Sequence, residues 1–349
     1  MRIAALALVL AFAGFGHLAR AQSSVDVESL PPWRVPDVGV LPDDEQGRLV
    51  RYGRSLIEHT SALIGPDAKD PAMRFAGNGL VCQNCHLDAG TARFALPFVG
   101  IWQLYPAFSA RMNGVQTIED RINDCMQRSM NGRALPQESR ELKAIAEYIR
   151  FLSSDWPDKS APVGRAAPRL PLPQHAADPV HGRAVYEHVC AACHGENGAG
   201  VRLDASDAAA KQQRYLFPPL WGPDSFNDGA GMARTITAAW FVHANMPRGI
   251  TFAYPIVAPS EAYDVAAYVN TQPRPHKADL ARDYPDPWLK PADAAYAPLL
   301  GPFTRRQHAL GPWPPIEAWL REHKPAAEAQ SNAAGDVEVT AAIVTLRPD

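Results

Sequence analysis

The hydrophobic positions of the chain follow a helical period in four separate segments. In residues 43–65 apolar side chains recur mostly at intervals of three and four residues, and residues 136–155 carry a second stripe of this kind. Residues 178–195 and 260–272 repeat the pair later in the chain. Because such a stripe is typical of a helix with one buried face, the pattern predicts two helical modules, each opened and closed by a helix.

The two closing segments also resemble each other in sequence. "IAEYIRFL" (145–152) and "VAAYVNTQ" (265–272) place tyrosine and branched aliphatic residues in the same order. Such similarity indicates an internal duplication. Between the modules, residues 157–179 contain six prolines in 23 residues, which predicts a semi-extended linker.

The chain after the second closing helix has a different composition. Residues 282–320 are rich in proline and tyrosine and lack periodicity over most of their length, but they are too aromatic to be disordered. We expect this segment to wrap over the modules. The predicted division is a first domain (22–156), the linker (157–179), a second domain with the wrapping segment (180–323) and a loose tail (324–349).

The first 21 residues have the pattern of a cleaved signal peptide. Arg2 precedes an apolar run, and Ala19 and Ala21 form a small-x-small cleavage site. The run has about 13 residues, fewer than the roughly 20 that span a bilayer. We therefore predict cleavage after Ala21, export to the periplasm and a mature chain without a membrane span. The net charge of −3 gives no electrostatic case for nucleic-acid binding.

Four of the five cysteines lie in two C-x-x-C-H motifs, "CQNCH" (82–86) and "CAACH" (190–194). This motif attaches c-type haem through the two thiols, and its histidine binds the iron. A thioredoxin-type dithiol would need a βαβ context, which the pattern lacks. The motifs predict two covalently attached haem c groups, with the following attachment and proximal residues: Cys82, Cys85, His86, Cys190, Cys193 and His194.

The order of helix, haem motif, loops, distal ligand and closing helix is that of a class I cytochrome c domain. The predicted fold is therefore mainly α, with two such domains and long irregular loops. In the second domain the best distal ligand is Met246, which lies 52 residues after His194 in "ANMPRG". His243 and Met232 are alternatives. A methionine ligand would raise the reduction potential.

The distal ligand of the first domain is less clearly indicated. The stretch "RINDCMQRSMNGRAL" (121–135) offers Cys125, Met126 and Met130. Methionine would give an ordinary electron-transfer haem, whereas a Cys125 thiolate would give a lower potential. Cys125 could also be a small buried apolar residue.

Several stretches resemble the dihaem thiosulfate dehydrogenases: "YGRSLIEHTSALIG", "GNGLVCQNCHLDAGT", "RINDCMQRSMNGRALP" and "YVNTQPRPHKADLARDYPDPW". The resemblance covers about residues 43–320, and the first domain also resembles the haem-bearing A subunit of the sulfur-oxidising complex. It implies that His86 and Cys125 ligate the first haem, and His194 and Met246 the second. Some members of the family carry a lysine beside the distal methionine, where this chain has Asn245.

The resemblance implies oxidation of two thiosulfates to one tetrathionate, a reaction that some members run in reverse. Electrons would pass from the first haem to the second and then to a small exported acceptor such as a cytochrome c. A carrier-linked sulfur transferase and a plain dihaem electron-transfer cytochrome stay open as alternatives. In the latter, Met126 or Met130 would be the ligand.

Thiosulfate is a dianion, so bringing two together requires fixed positive charge. Five arginines are candidates: Arg93, Arg111, Arg121, Arg128 and Arg133. We predict that Cys125, Arg111, Arg128 and Ser129 are catalytic residues, with Asn131 as a further hydrogen-bond donor. The Cys125 sulfur would form a transient sulfonate adduct with thiosulfate. Alternatively, the arginines pair with haem propionates or with the carboxylates of Glu119, Asp120 and Asp124.

Overall fold

A computed structural model describes residues 30–156, 163–204, 206–207 and 212–325. The predicted signal peptide, the start of the predicted linker and nearly all of the predicted tail lie outside these ranges. In the described residues the structure is mainly α, which confirms the predicted fold class. No helix in these ranges is long and apolar enough to cross a membrane.

The first domain, within the described residues, contains five α-helices, one antiparallel hairpin and four short 3₁₀ turns. Its elements are α1 (Glu45–Glu58), α2 (Thr60–Ile64), α3 (Leu87–Gly90), β1 (Ala107–Ser109), β2 (Gly114–Gln116), α4 (Ile118–Gln127) and α5 (Arg140–Leu152). The predicted helix 43–65 is broken at His59, which leaves the helical conformation between α1 and α2.

The second domain repeats this plan and adds two helices at its end. Its described elements are α6 (Pro179–Val185), a π-helical turn (Tyr186–Cys190), α7 (Ala191–His194), the antiparallel pair β3 (Val201–Arg202) and β4 (Tyr215–Phe217), α8 (Thr235–Asn245), α9 (Pro259–Thr271), α10 (Arg305–Leu310) and α11 (Pro314–His323). The segment 282–320 therefore contains helices, contrary to its lack of periodicity. They are short, so each shows too few turns to establish a period.

The opening and closing helices of each domain cross at a glycine. A β-carbon on Gly53 of α1 would lie 2.0 Å from the carbonyl oxygen of Ala144 in α5. A β-carbon on Gly182 of α6 would lie 1.9 Å from that of Asp264 in α9. Any larger residue would push the helices apart. The same close approach at the same place in both domains supports the duplication predicted from the sequence.

Two apolar cores lie between these helix pairs. Leu56, Leu142 and Ile145 are buried in the first core, and Trp313 and Ile316 of the wrapping segment are fully buried in the second. Leu170 and Ala177, in the second half of the predicted linker, also belong to the second core.

The wrapping segment also reaches the first domain, as expected. The backbone N–H of Tyr284 donates to the carbonyl oxygen of Arg111 at 2.9 Å. This segment therefore ties the two domains together.

Candidate functional site

Each domain encloses an apolar cavity beside its C-x-x-C-H motif. The first cavity has a volume of about 230 Å³ and is lined by Cys82, Cys85 and His86. The second has a volume of about 340 Å³ and is lined by Cys190, Cys193 and His194. In the described residues all five cysteines are free of disulfides. Paired thiols at an apolar cavity with an adjacent histidine are the donor set that c-type haem requires.

The motif histidines are held in one orientation by backbone carbonyls. His86 Nδ1 donates to Leu96 O at 2.5 Å, and His194 Nδ1 donates to Pro218 O at 2.8 Å. Each bond leaves Nε2 as the metal-binding nitrogen. Burial lowers the pKa of His86 to about 4, which keeps its imidazole neutral and able to coordinate iron. These observations fit a haem c in each cavity.

The lining of the second cavity is mostly apolar and includes two charged residues, Asp88 and Arg248, which form an ion pair. Met246 follows the end of α8 and lines the cavity, as does Met232. His243 is not among the lining residues; its Nδ1 donates to Val257 O at 2.7 Å. Asn245 turns toward the first domain, where its side-chain amide donates to Phe94 O at 3.2 Å.

The distal side of the first cavity is formed by α4. This helix begins at Thr117, whose hydroxyl accepts from Asp120 N at 3.2 Å, while the Asp120 carboxylate accepts from Thr117 N at 3.0 Å. The capping box fixes the start of the helix. Cys125 lines the cavity two turns later, together with Met126.

A cation lies directly against the Cys125 sulfur. Arg121 Nη1 donates to Cys125 Sγ at 3.0 Å, one helical turn away on α4. The pKa of Arg121 is raised, chiefly by this sulfur, and burial opposes the effect. Of its side-chain surface 42% is accessible, and it lines the cavity, so it can still meet a ligand.

The two arginines predicted to contact substrate are engaged elsewhere. Arg128 binds the carboxylates of Asp124 and Asp283, and Arg111 binds Asp283 at 3.1 Å. Their side chains are only 10% and 15% accessible. Neither lines the first cavity, so direct contact with a ligand there would require breaking these ion pairs. Ser129 does line it.

The other candidate arginines lie away from the first cavity. Arg93 donates to Val163 O at 2.9 Å and stacks over Trp33. Arg133 donates to Ala72 O at 3.1 Å and stacks over Phe75.

Two polar residues that the sequence did not single out line the first cavity, Tyr105 and Arg165. Burial raises the pKa of Tyr105 and lowers that of Arg165. Arg165 lies in the predicted linker, where no motif distinguishes it from other surface arginines. Tyr105 likewise has no spacing signal, because it reaches the cavity from the loop before β1.

The two cavities share part of their lining. Leu80, Asn84, Cys85, Phe226 and Met232 each contact both of them. Phe226 and Met232 come from the second domain, and the other three come from the first. Single side chains therefore separate the two sites.

Comparison with known families agrees with the division into two domains. Residues 74–157 match the family model "SoxA/TsdA, cytochrome c domain", and residues 179–273 match the model "Cytochrome c". Cytochrome c domains imply haem c binding, in agreement with the donor sets of both cavities.

Several curated proteins are similar over most of the chain. A thiosulfate dehydrogenase of Allochromatium vinosum is 43% identical over 245 residues, which is 69% of this chain and 84% of that protein. One from Thiomonas intermedia is 39% identical over 240 residues, covering 69% of this chain and 70% of the relative. The solved thiosulfate dehydrogenase (TsdBA) of Marichromatium purpuratum, as isolated, is similar with a TM-score of 0.62 and 36% identity. The match covers 70% of this chain and half of that longer one.

Proposed function

This chain belongs to the thiosulfate dehydrogenase family, and from that premise we propose that it oxidises two thiosulfates to one tetrathionate. The observation that carries the proposal is the bond of 3.0 Å from Arg121 to the Cys125 sulfur at the first cavity. A nucleophilic sulfur and a cation lie together at this cavity, which supports it as the place where a small sulfur dianion reacts. The reaction releases two electrons, which leave through the second domain to an external cytochrome c-type acceptor.

The haem groups supply one-electron acceptance when bound. Cys82 and Cys85 attach the first covalently, and Cys190 and Cys193 attach the second. His86 and Cys125 would hold the iron of the first haem, and His194 and Met246 that of the second. Support comes from the orientation of both histidines and from the presence of Cys125 and Met246 in the lining of the respective cavities.

Cys125 is also the proposed site of covalent chemistry. Its thiolate would join the outer sulfur of one thiosulfate, giving Cys125–S–S–SO₃⁻ with the release of two electrons, for which bound haem would be the acceptor. The outer sulfur of the second thiosulfate attacks the corresponding sulfur of this adduct. The S–S bond to Cys125 breaks, tetrathionate departs and the thiolate is restored. Atoms and charge balance over the two steps, and the reverse sequence would reduce tetrathionate.

Arg121 is the cation best placed to stabilise this chemistry. Each thiosulfate carries two negative charges, and the thiolate adds a third, so repulsion opposes their approach. A guanidinium that donates to sulfur at 3.0 Å offsets part of it. Arg165 adds a second positive charge to the cavity lining, and Ser129 adds a hydroxyl. The predicted contacts of Arg111 and Arg128 with substrate would be less direct, given their ion pairs with Asp283.

The test is tetrathionate formation from thiosulfate, with ferricyanide as acceptor, by the wild type and Cys125→Ala. We expect the wild type to form tetrathionate and Cys125→Ala to be inactive, with both haems still attached in the variant. An inactive wild type would contradict the proposal and favour the transferase or the plain electron carrier. Equal activity of both proteins would leave the family function standing and remove Cys125 from the chemistry.

Spectroscopy separates the ligand role from the covalent role. A low-spin His/thiolate signal in electron paramagnetic resonance (EPR) and near-infrared spectra should be present in the wild type and in Met130→Leu but absent in Cys125→Ala. Mass spectrometry under turnover should detect the thiosulfate-dependent adduct on Cys125. If none is found while the thiolate signal is present, the ligand role is retained and the covalent step is excluded.

A further inference from the structure

The carboxyl end of α4, just after Cys125, is capped by the second domain. The last carbonyl groups of a helix have no partners within it. Here Gln127 O accepts from the side-chain amide of Asn227 at 2.9 Å, and Arg128 O accepts from the backbone N–H of Asn227 at 3.2 Å. Asn227 is only 1% exposed, and its own side-chain oxygen accepts from Gly229 N at 3.1 Å. The Asn227 side chain is therefore held in place by its own domain as well as by α4.

The side chains that flank Cys125 are held by the same domain. Arg128 donates to both oxygens of Asp283, at 2.5 and 3.3 Å, and also binds Asp124. Asp283 is 4% exposed and accepts from Arg111 at 3.1 Å as well. A buried, two-pronged arginine–carboxylate pair is strongly directional. Because Asp124 lies on α4 and Arg128 follows its last residue, on either side of Cys125, these ion pairs restrain rotation of the helix.

Rotation of α4 matters because other sulfur ligands are close. Met126 and Met130 line the same cavity as Cys125. One residue of an α-helix turns by about 100°, so a rotation of that size would exchange Cys125 for Met126, and fraying of the last turn would free Met130, which follows the helix. Contacts at the end of α4 therefore bear on which of these three sulfur atoms is available in the cavity.

We infer that Asn227 and Asp283 are positioning residues that select Cys125 over Met126 and Met130 as the distal group of the first cavity. The inference rests on the proposed function, in which Cys125 is the ligand. Docking of the second domain then sets the chemistry of the first. The contact between the domains would then determine the distal group of the first cavity as well as bring two electron carriers together.

The chain offers a matched control for a general effect of domain docking. Asp67 of the first domain pairs with Arg214 of the second at 2.5 Å, away from α4. Asp283→Asn and Asp67→Asn each remove one carboxylate charge from an interdomain pair at constant volume. Asn227→Asp keeps the acceptor for Gly229 N but removes the donor to Gln127 O.

The experiment compares these three variants with the wild type as full-length proteins carrying both haems. The readouts are the His/thiolate signal of the first haem, the near-infrared methionine–haem band and the rate of tetrathionate formation. We expect Asp283→Asn and Asn227→Asp to lose at least about half of the thiolate signal, with a gain in the methionine band. We expect turnover to fall about tenfold, the scale of losing a partner that orients a ligand. Asp67→Asn should keep the spectrum and stay within about twofold in rate.

Three results would overturn the inference. The first is a wild-type thiolate signal that persists unchanged in both Asp283→Asn and Asn227→Asp. The second is an equal loss of the thiolate signal in Asp67→Asn, or a failure of both Asp283→Asn and Asn227→Asp to incorporate the two haems. Either result would assign the contacts to docking or folding in general. The third is a wild type without any thiolate signal. That result would overturn the ligand assignment of the proposed function as well, whereas the first two leave it intact.

Discussion

The cavities beside the two C-x-x-C-H motifs are similar at the motif histidine and differ at the residue proposed as the distal ligand. In both, a C-x-x-C-H histidine donates from Nδ1 to a backbone carbonyl, Leu96 O in one and Pro218 O in the other. The second cavity has Met246 directly after a helix, in a mostly apolar lining that includes Arg248. The first has Cys125 within a helix, bonded to Arg121.

This difference indicates which part of each domain is specific to its function. The helix pairs and the haem motif are common to both domains and require only local sequence. The charged distal side of the first cavity depends on a helix whose end is held by residues from the other domain. Under the proposed function, one copy keeps the geometry of an electron carrier and the other becomes a reaction site.

Making the two distal sides alike should have the largest effect. Cys125→Met would give the first haem the methionine ligation proposed for the second and would raise its reduction potential, because thioether is a weaker donor than thiolate. It would also remove the nucleophile, so turnover should fall by on the order of 10³-fold or more. A redox titration and the ferricyanide assay measure the two changes. Turnover within about tenfold of the wild type would contradict the role of Cys125.

Removing the cation from the first distal side should have the next largest effect. A hydrogen bond to a charged group contributes about 1.5–3 kcal/mol, so Arg121→Ala should lower kcat/KM for thiosulfate by on the order of 10- to 100-fold. Arg121→Lys keeps the charge and should recover part of the loss. Arg133→Ala serves as control, because Arg133 stacks on Phe75 away from the cavity. An equal loss in both alanine variants would point to general electrostatics.

Changing the second distal side should affect electron exit rather than sulfur chemistry. Met246→Ala should lower the potential of the second haem and abolish its methionine–haem band. Steady-state reduction of a cytochrome acceptor should slow about tenfold, while thiosulfate-dependent reduction of the first haem in a single turnover should persist. Met112→Ala, at a methionine that is 47% exposed on the hairpin turn, is the matched control. Loss of the single-turnover reduction in Met246→Ala would contradict the assignment of sulfur chemistry to the first haem and of electron exit to the second.

The smallest expected effect concerns the hydrogen bond that joins the opening and closing helices of each domain. Tyr52 of α1 donates to Glu141 of α5, whereas His181 of α6 donates to Asp264 of α9 at 2.8 Å. The hydrogen bond to Asp264 raises the pKa of His181 above its usual value near 6.5. Its stabilisation is therefore complete below about pH 6.5 and is lost as the pH rises through the raised pKa.

Because the His181 side chain is 52% exposed, this stabilisation should amount to at most a few tenths of a kcal/mol. Denaturant unfolding of the wild type and His181→Gln between about pH 5.5 and 8.5 would measure it. A difference in unfolding free energy that grows with rising pH would contradict the sign.

Local patterns were sufficient for part of this architecture. The two haem motifs and the four amphipathic helices are read from spacings of a few residues, and the structure has helices at all four places. The helix α8 was missed because it is apolar on almost every side and has no polar face to reveal its period. The helix α4 is short and rich in charged residues, which hid its three regularly spaced apolar positions, Ile118, Ile122 and Met126.

The division of labour among the arginines could not be read from the sequence. Arg111, Arg121 and Arg128 are equivalent in composition and lie close together along the chain. What separates them is Asp283, which lies 155 residues after Arg128 and binds two of the three. Asp124 pairs with all three, including Arg121 at 3.4 Å, so Asp283 alone distinguishes them, and only the folded chain brings this carboxylate to the end of α4.

The shared wall between the cavities has a further consequence for how the protein titrates. Five side chains contact both sites, and the shared residues include the apolar Phe226 and Met232. A charge added to one cavity therefore alters the energy of a charge in the other, and the effect is stronger than it would be across solvent. Two redox centres coupled in this way give apparent midpoints that belong to the pair rather than to either centre. Adding the first electron should make the second harder to add, so each domain in isolation would have a different midpoint from the same domain in the intact chain.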